Sequence, residues 1–361
     1  MGWIGAPQRL PIGGSMAREL RRVRPTSPCD DCVLSNLTYK QVVGQHSYEE
    51  TTVCDSIRRF AVFLLLSALA AAGAAEPAGF TEIAPGVYLR PGVQEVADAH
   101  NDGHIANLGF IVGRERVAVI DSGGSHAEGE AVLQAVRQVT DLPIAWLVLT
   151  HMHPDHVLGA AAFAERGIEV IGHANLADAL NHRRDAYLNP VLDYLGERAA
   201  GTRVVLPGAQ VAVGQDRELD LGGRTLVLHA YPTAHTNNDL SVLDRETGLL
   251  WLSDLLFVDR IPVVDGNLLG WLAVMDGLAR LEPTIVVPGH GPVRGDWKED
   301  LGRQRTYLQT LAEGVRRVIR TGGDIRRAVE TVGQDQRGHW LLFDDYHGRN
   351  VTAAFVELEW E

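Results

Sequence analysis

The sequence predicts an α/β fold in which two strand-rich halves pack face to face and carry helices on their outer sides, a four-layer αββα sandwich. Three observations predict it. Short apolar strands alternate with helical segments from Gly86 to His173, and the same style resumes from Arg224 to Gly291. No low-complexity tract or linker separates the halves, so residues 76–361 read as one domain.

The elements follow in order. "GVYLRPG" (86–92), "NLGFIVG" (107–113) and "RVAVIDSGG" (116–124) read as strands, the last ending at a glycine turn. "SHAEGEAVLQAVRQVT" (125–140) places Ala127, Ala131, Val132, Ala135, Val136 and Val139 at helical spacing behind Ser125, a residue type that caps helices. "AWLVLT" (145–150) is a buried strand by its continuous apolar character. A helix over 156–167 closed by Gly167 and the strand "IEVIGH" (168–173) come next. Residues 174–201 are helical in pattern, either a surface helix pair or a cap over a site. In the second half, 224–244 and "GLLWLSD" (248–254) are strands with polar turns, 268–283 is helical, and "TIVVPGHG" (284–291) is a strand ending in a turn. A long amphipathic helix over 296–323 opens a C-terminal helical extension, 296–361.

Composition narrows the function. The chain has 361 residues, ample for a proper core, with 45% hydrophobic and 22% charged residues, as in a globular protein. Its net charge of −13 argues against nucleic acid and against an anionic membrane surface as partners, and says little about a small-molecule substrate. Cys29, Cys32 and Cys54 all lie near the N-terminus, and the single CxxC has no second pair to make a zinc or redox site.

The segment 57–75, "IRRFAVFLLLSALAAAGAA", has two arginines, an apolar core and small residues, the layout of a secretory signal peptide cleaved after Ala74 or Ala75. It is short for a membrane span, so no stable span is expected once it is removed. Residues 1–56 show no periodicity and are expected to be an untranslated or disordered leader, with translation starting near Val53 to Ile57. The working protein then runs from about Glu76, lacks cysteine and is periplasmic or secreted.

Chemistry concentrates in "LVLTHMHPDHVLGA" (147–160). His151, His153, Asp155 and His156 offer imidazole nitrogens and a carboxylate directly after a strand, good donors for a borderline cation. His235 in "PTAHTNND", Asp254 in "WLSDLL" and His290 in "VVPGHGPV" each stand where a strand is expected to give way to a loop, so a sandwich brings them to one edge. Taken singly each is an ordinary loop residue. Together, five histidines and two aspartates suit two metal ions sharing a carboxylate and a water.

This order, HxHxDH after a strand and then His, Asp and His, resembles the metallo-β-lactamase superfamily over roughly Gly86 to Leu311. The resemblance implies a first zinc on His151, His153 and His235 and a second on Asp155, His156 and His290, with Asp254 bridging. Iron or manganese also suit the donors. It implies that Asp121 in "VIDSGG" orients the histidine loop, and that Asp155 aligns a bridging hydroxide for attack. Within the superfamily, "HNDGHIANLGFIVG", "VIDSGGSHAEGEA", "THMHPDHVLGAAAF", "GHANLADAL" and "LSDLLFVDRIPVVDGNLLGWL" resemble the quinoprotein relay system zinc metallohydrolases, exported proteins linked to quinoprotein dehydrogenases. The metals imply hydrolysis of an ester, thioester, lactone or amide-type bond without fixing the substrate.

Specificity is then left to the pocket. His104, in a polar turn, is a candidate substrate group, and Arg260, Arg183 and Tyr187 are candidates for holding an anionic substrate. Two alternatives stand beside hydrolysis linked to a quinoprotein. One is a true β-lactamase, which the aspartate at 254 in place of a cysteine and the scarcity of lysine (only Lys40 and Lys298) disfavour. The other is a non-catalytic periplasmic binding or assembly protein. N-terminal sequencing of protein purified from its native source is expected to read from about Glu76, and a mature chain that retains Met1 would overturn the leader and signal assignments.

Overall fold

The computed structural model describes residues 79–361. The leader, the signal segment and all three cysteines lie outside the described residues. The first sheet has seven strands in sequence order: β1 (Thr81–Ala84), β2 (Val87–Arg90), β3 (Leu108–Val112), β4 (Val117–Ile120), β5 (Ile144–Val148), β6 (Glu169–His173) and β7 (Ala209–Val211). Its first four strands pair antiparallel and the rest parallel. The second sheet has five strands in the order β12 (Ile285–His290), β11 (Leu249–Phe257), β10 (Leu240–Asp244), β9 (Thr225–Ala230) and β8 (Arg217–Asp220), with β12 alone parallel to its neighbour.

Strand periodicity sorts the side chains into layers. Along β4, Val117 and Val119 face the outer helices while Ala118 and Ile120 face the second sheet. Along β11, Leu249 and Trp251 face the first sheet, whereas Leu250 and Leu252 face the helices behind. Three apolar cores result, one between the sheets and one outside each. The outer core of the first sheet is closed by α1 (His126–Val139), α2 (Pro154–Val157), α3 (Ala160–Ala164) and α4 (Leu176–Leu195). That of the second is closed by α5 (Leu268–Leu278), α6 (Trp297–Arg320), α7 (Ile325–Thr331) and α8 (Phe343–Leu358). The fold is the mixed α/β sandwich with helices outside two sheets. Ser125 caps α1, accepting from the Glu128 N–H.

Three local expectations are corrected. The helix expected over 156–167 is two short helices, because Gly159 N–H donates to Gly123 O at 2.8 Å and a Cβ there would stand 1.9 Å from Ser122 O. The chain must bend where these backbones meet. In place of a helix pair over 174–201, one helix runs from Leu176 to Leu195, with Pro190 inside it, and a 3₁₀ turn follows. Asp254 lies inside β11, which continues to Phe257. The pairing with β12 slips at Ser253, whose φ is +49°, and this re-aims the following carboxylate toward the edge of the sheet.

At the end of the sandwich away from His151, Arg224 is buried with Asp244, donating from Nε at 3.1 Å and from Nη2 at 2.6 Å, and gives Nη1 to Val112 O of the first sheet at 2.8 Å. Arg224→Met leaves the Asp244 charge buried without its partner. The expected cost is about 3–5 kcal/mol, measured by urea denaturation.

Candidate metal centre

Strand ends place the donors. Asp121 leaves β4, the His151–His156 loop leaves β5, His235 follows β9, and His290 ends β12. Asp121 is fully buried with φ +58°, and its carboxylate fixes the loop. Oδ1 accepts the Thr150 N–H at 2.8 Å, and Oδ2 accepts the Thr150 hydroxyl at 2.8 Å and stands 2.8 Å from His156 Nδ1. Asn107 joins the sheets nearby, donating from Nδ2 to Pro288 O and Gly291 O on either side of His290, at 2.9 Å each.

Two donor clusters result. In the first, His151 Nε2 and His235 Nε2 lie 3.1 and 3.0 Å from His153 Nδ1. A tetrahedral zinc with bonds of about 2.0–2.1 Å separates its nitrogens by about 3.3 Å. The opposite ring nitrogens are held by Thr150 Oγ1 (3.1 Å), Asp265 Oδ2 (3.0 Å) and Val263 O (2.8 Å). These partners take the N–H of each ring and leave three lone pairs facing one point, an arrangement that fits a cation. The second cluster comprises Asp155, His156 and His290. Asp155 Oδ2 lies 3.6 Å from His156 Nε2 and 3.4 Å from His290 Nε2, and His290 Nδ1 is held by Ile105 O at 2.8 Å.

Asp254 touches both clusters. Its Oδ2 is 3.5 Å from His151 Nε2, 3.3 Å from His235 Nε2 and 3.4 Å from His290 Nε2, and its Oδ1 is 3.3 Å from His156 Nε2. Asp254 Oδ1 and His156 Nε2 are buried without a hydrogen-bond partner among the described residues. Orphaned buried polar atoms are costly unless a further group completes them, and a second cation fits here. A family model of the metallo-beta-lactamase superfamily matches residues 101–290, more than half of the chain and a span that contains every one of these donors.

The chain belongs to the metallo-β-lactamase superfamily.

The linear primary-alkylsulfatase of Pseudomonas sp. (strain ATCC 19151) is 41% identical over 54 residues, 15% of this chain. The chain thus spans only 10% of that relative's length. Among solved structures, a metallo-beta-lactamase from Pontibacter korlensis superposes with a TM-score of 0.51 at 18% identity, covering 64% of this chain and 98% of its own. DIM-1 metallo-beta-lactamase superposes at 0.50 and 15% identity, covering 64% and 96%. At such identities the likeness shows the fold.

Charge in the superfamily site follows from burial and pairing. Burial alone would raise the Asp254 carboxyl, but the imidazoles of His290, His156 and His151 outweigh it and hold it well below the usual carboxylate range. Burial also disfavours a charged His156, yet Asp254, Asp155 and Asp121 outweigh it and raise that imidazole well above its ordinary value. A cation entering the second cluster therefore has to displace a proton from His156. Burial, with His156 adding to it, holds His151 neutral.

The remaining candidates from the sequence divide. His104 Nδ1 lies 2.5 Å from Glu128 Oε1 and its Nε2 3.0 Å from Pro91 O, so both nitrogens are engaged away from the donors. Arg260 is buried behind His290, 3.2 Å from its Nδ1, and stacks over Tyr346 of α8. Arg183 and Tyr187, both on α4, do reach the His153 side: Arg183 pairs with Asp265, and the Tyr187 ring lies edge-on to His153 at 6.4 Å between centroids. Sequence reading missed Thr150, Asn107 and Asp265. Thr150 was accessible as the neighbour of His151. Asp265 carries no motif, and only the fold shows that it meets His153.

Gly289 is fitted to Asp254, since a Cβ at 289 would stand 1.7 Å from Asp254 Oδ1 and 2.7 Å from its backbone nitrogen. Gly289→Ala is expected to displace the shared carboxylate, lowering bound metal measured by mass spectrometry and stability by about 1–3 kcal/mol. Unchanged metal content would show that Asp254 is not held as described.

Proposed function

We propose that this chain is an exported dinuclear zinc hydrolase that cleaves an ester, thioester, lactone or amide-type bond and serves a quinoprotein dehydrogenase system. The observation that carries the dinuclear reading is the sharing of one carboxylate, Asp254, by two donor clusters. Export rests on the segment 57–75, and the quinoprotein link on the motifs between His100 and Leu272.

Two zinc ions held by these residues would make hydroxide available at neutral pH and would polarise a scissile carbonyl. The side chains divide the remaining work. His151, His153 and His235 would hold the first ion. His156, His290 and Asp155 would hold the second, with Asp254 between them. Asp155 is more open than Asp254, its side chain 14% exposed against 3%. It is therefore the carboxylate placed to align the hydroxide for attack, while Asp254 is confined to holding charge between the clusters.

Cleavage of a β-lactam is the second reading, favoured by the fold neighbours. The one lysine among the described residues, Lys298, is paired with Glu282, so a clamp on a β-lactam carboxylate would have to be built from arginine. A non-catalytic carrier would have no need of a partly open Asp155.

Purified protein is expected to carry about two zinc ions per chain. It is also expected to turn over at least one member of a panel comprising a thioester, a 4-nitrophenyl ester, a lactone, a cephalosporin and an alkyl sulfate. Asp155→Ala should lower that turnover by about a hundredfold or more with the circular dichroism spectrum unchanged. Zinc near zero, or hydrolysis that survives Asp155→Ala, overturns the proposal. Full zinc with no turnover favours the carrier.

A further inference from the structure

Beside His153 there is a surplus of hydrogen-bond donors. Asp265 Oδ2 is 3.0 Å from His153 Nε2 and 3.1 Å from Arg183 Nη1, while Oδ1 accepts from Arg183 Nη2 at 3.2 Å and lies 3.5 Å from Arg349 Nη2. Two guanidinium groups, one from α4 and one from α8, thus converge on a single carboxylate that already serves a histidine. One negative charge faces two positive ones, which leaves a net positive spot at the site in a chain whose net charge is −13.

Both arginines remain open, their side chains 40% and 54% exposed, and each guanidinium carries five N–H donors of which Asp265 uses few. The Tyr187 hydroxyl is buried next to Asp265, Arg349 and Arg183, a guanidinium that can only donate to it, so the hydroxyl's own proton has no acceptor among the described residues. A buried hydroxyl beside two underused guanidinium groups lacks an acceptor. Opposite charge alone accounts for one arginine on Asp265, and the second arginine together with the hydroxyl proton that lacks an acceptor requires another explanation.

We propose that Arg183, Arg349 and Tyr187 form an oxyanion subsite beside the metal centre, so that the substrate is an acyl compound bearing a second, anionic group such as a carboxylate. The proposal rests on the hydrolase reading above and deepens it. The planar forks of two arginines suit a carboxylate, which accepts two parallel N–H bonds, and a sulfonate offers the same oxygens. Binding the remote anion there would fix which end of the substrate faces Asp155.

The test compares mono(4-nitrophenyl) glutarate with 4-nitrophenyl butyrate, esters that differ mainly in the terminal charge. Wild-type zinc-loaded protein is expected to prefer the charged ester about tenfold or more in kcat/KM, carried by KM. In Arg349→Gln, and more completely in Arg183→Gln/Arg349→Gln, that preference should fall to within about threefold, with Arg349→Lys intermediate. Arg349 is the informative position, because it is the more distant partner of Asp265 and its loss leaves Arg183 to hold that carboxylate. Zinc content measured alongside should not change in Arg349→Gln, and its loss would mean that the arginine only supports His153, which overturns the subsite. Equal use of the two esters by wild type, or a preference indifferent to Arg349→Gln, also overturns it. If neither ester is cleaved, the ester-hydrolase reading fails separately. The subsite is then read by calorimetric binding of glutarate and of propanesulfonate: binding lost in Arg349→Gln supports it, and no binding of either anion by wild type rejects it.

Discussion

The Asp121 carboxylate is the constraint on which the site depends. It ends a buried strand with a left-handed backbone, and both of its oxygens are spent on the next strand's exit loop, through the Thr150 N–H and hydroxyl and through His156. A carboxylate buried this deeply is tolerable only when such partners satisfy it. Those partners in turn set the direction of the loop that carries four of the seven metal-ligand candidates. The cost of burying one charge is offset by fixing several side chains at once, which is how a rigid site is obtained from a short loop.

The two sheets contribute unequally to the cluster. The first supplies a pre-bent loop, and the second supplies isolated residues, each needing its own support. His235 relies on Val263 O, His290 on Ile105 O and the Asn107 clamp, and Asp254 on the slip at Ser253 and on the bare Gly289. The backbone at Ser253 and Asp121 departs from ordinary strand geometry only where the donors converge.

The sequence discloses the chemistry more readily than its supports. HxHxDH is legible because imidazoles seldom crowd a single loop, and His235, Asp254 and His290 become legible once several strands are expected to end together. Strand β4 is readable as buried but not as two-faced, because both of its faces are apolar. Strands β7 and β8 escape notice because they are short and expose polar side chains. The break at Gly159 is invisible in an alanine-rich run, since its cause is the backbone of Ser122, far away in sequence. Asp265 and Arg349 are ordinary charged residues until the fold sets them beside His153. Local pattern encodes elements and concentrated chemistry, whereas contacts across long separations are encoded only in the finished packing.

The loop from Val258 to Asn267 has its footing in the last helix. Asn350 donates to Pro262 O and accepts the Val264 N–H, and Glu357 accepts the N–H groups of Leu268 and Leu269 at the start of α5. This loop supplies the carbonyl behind His235 and the carboxylate behind His153. The supports of the first cluster therefore lean on contacts made 86 to 89 residues further along the sequence. Until α8 docks, His153 and His235 lack the footing of the groups behind them, even where the first sheet and its histidine loop are in place. The first donor cluster is thus a product of the folded sandwich as a whole and not of its histidine loop alone.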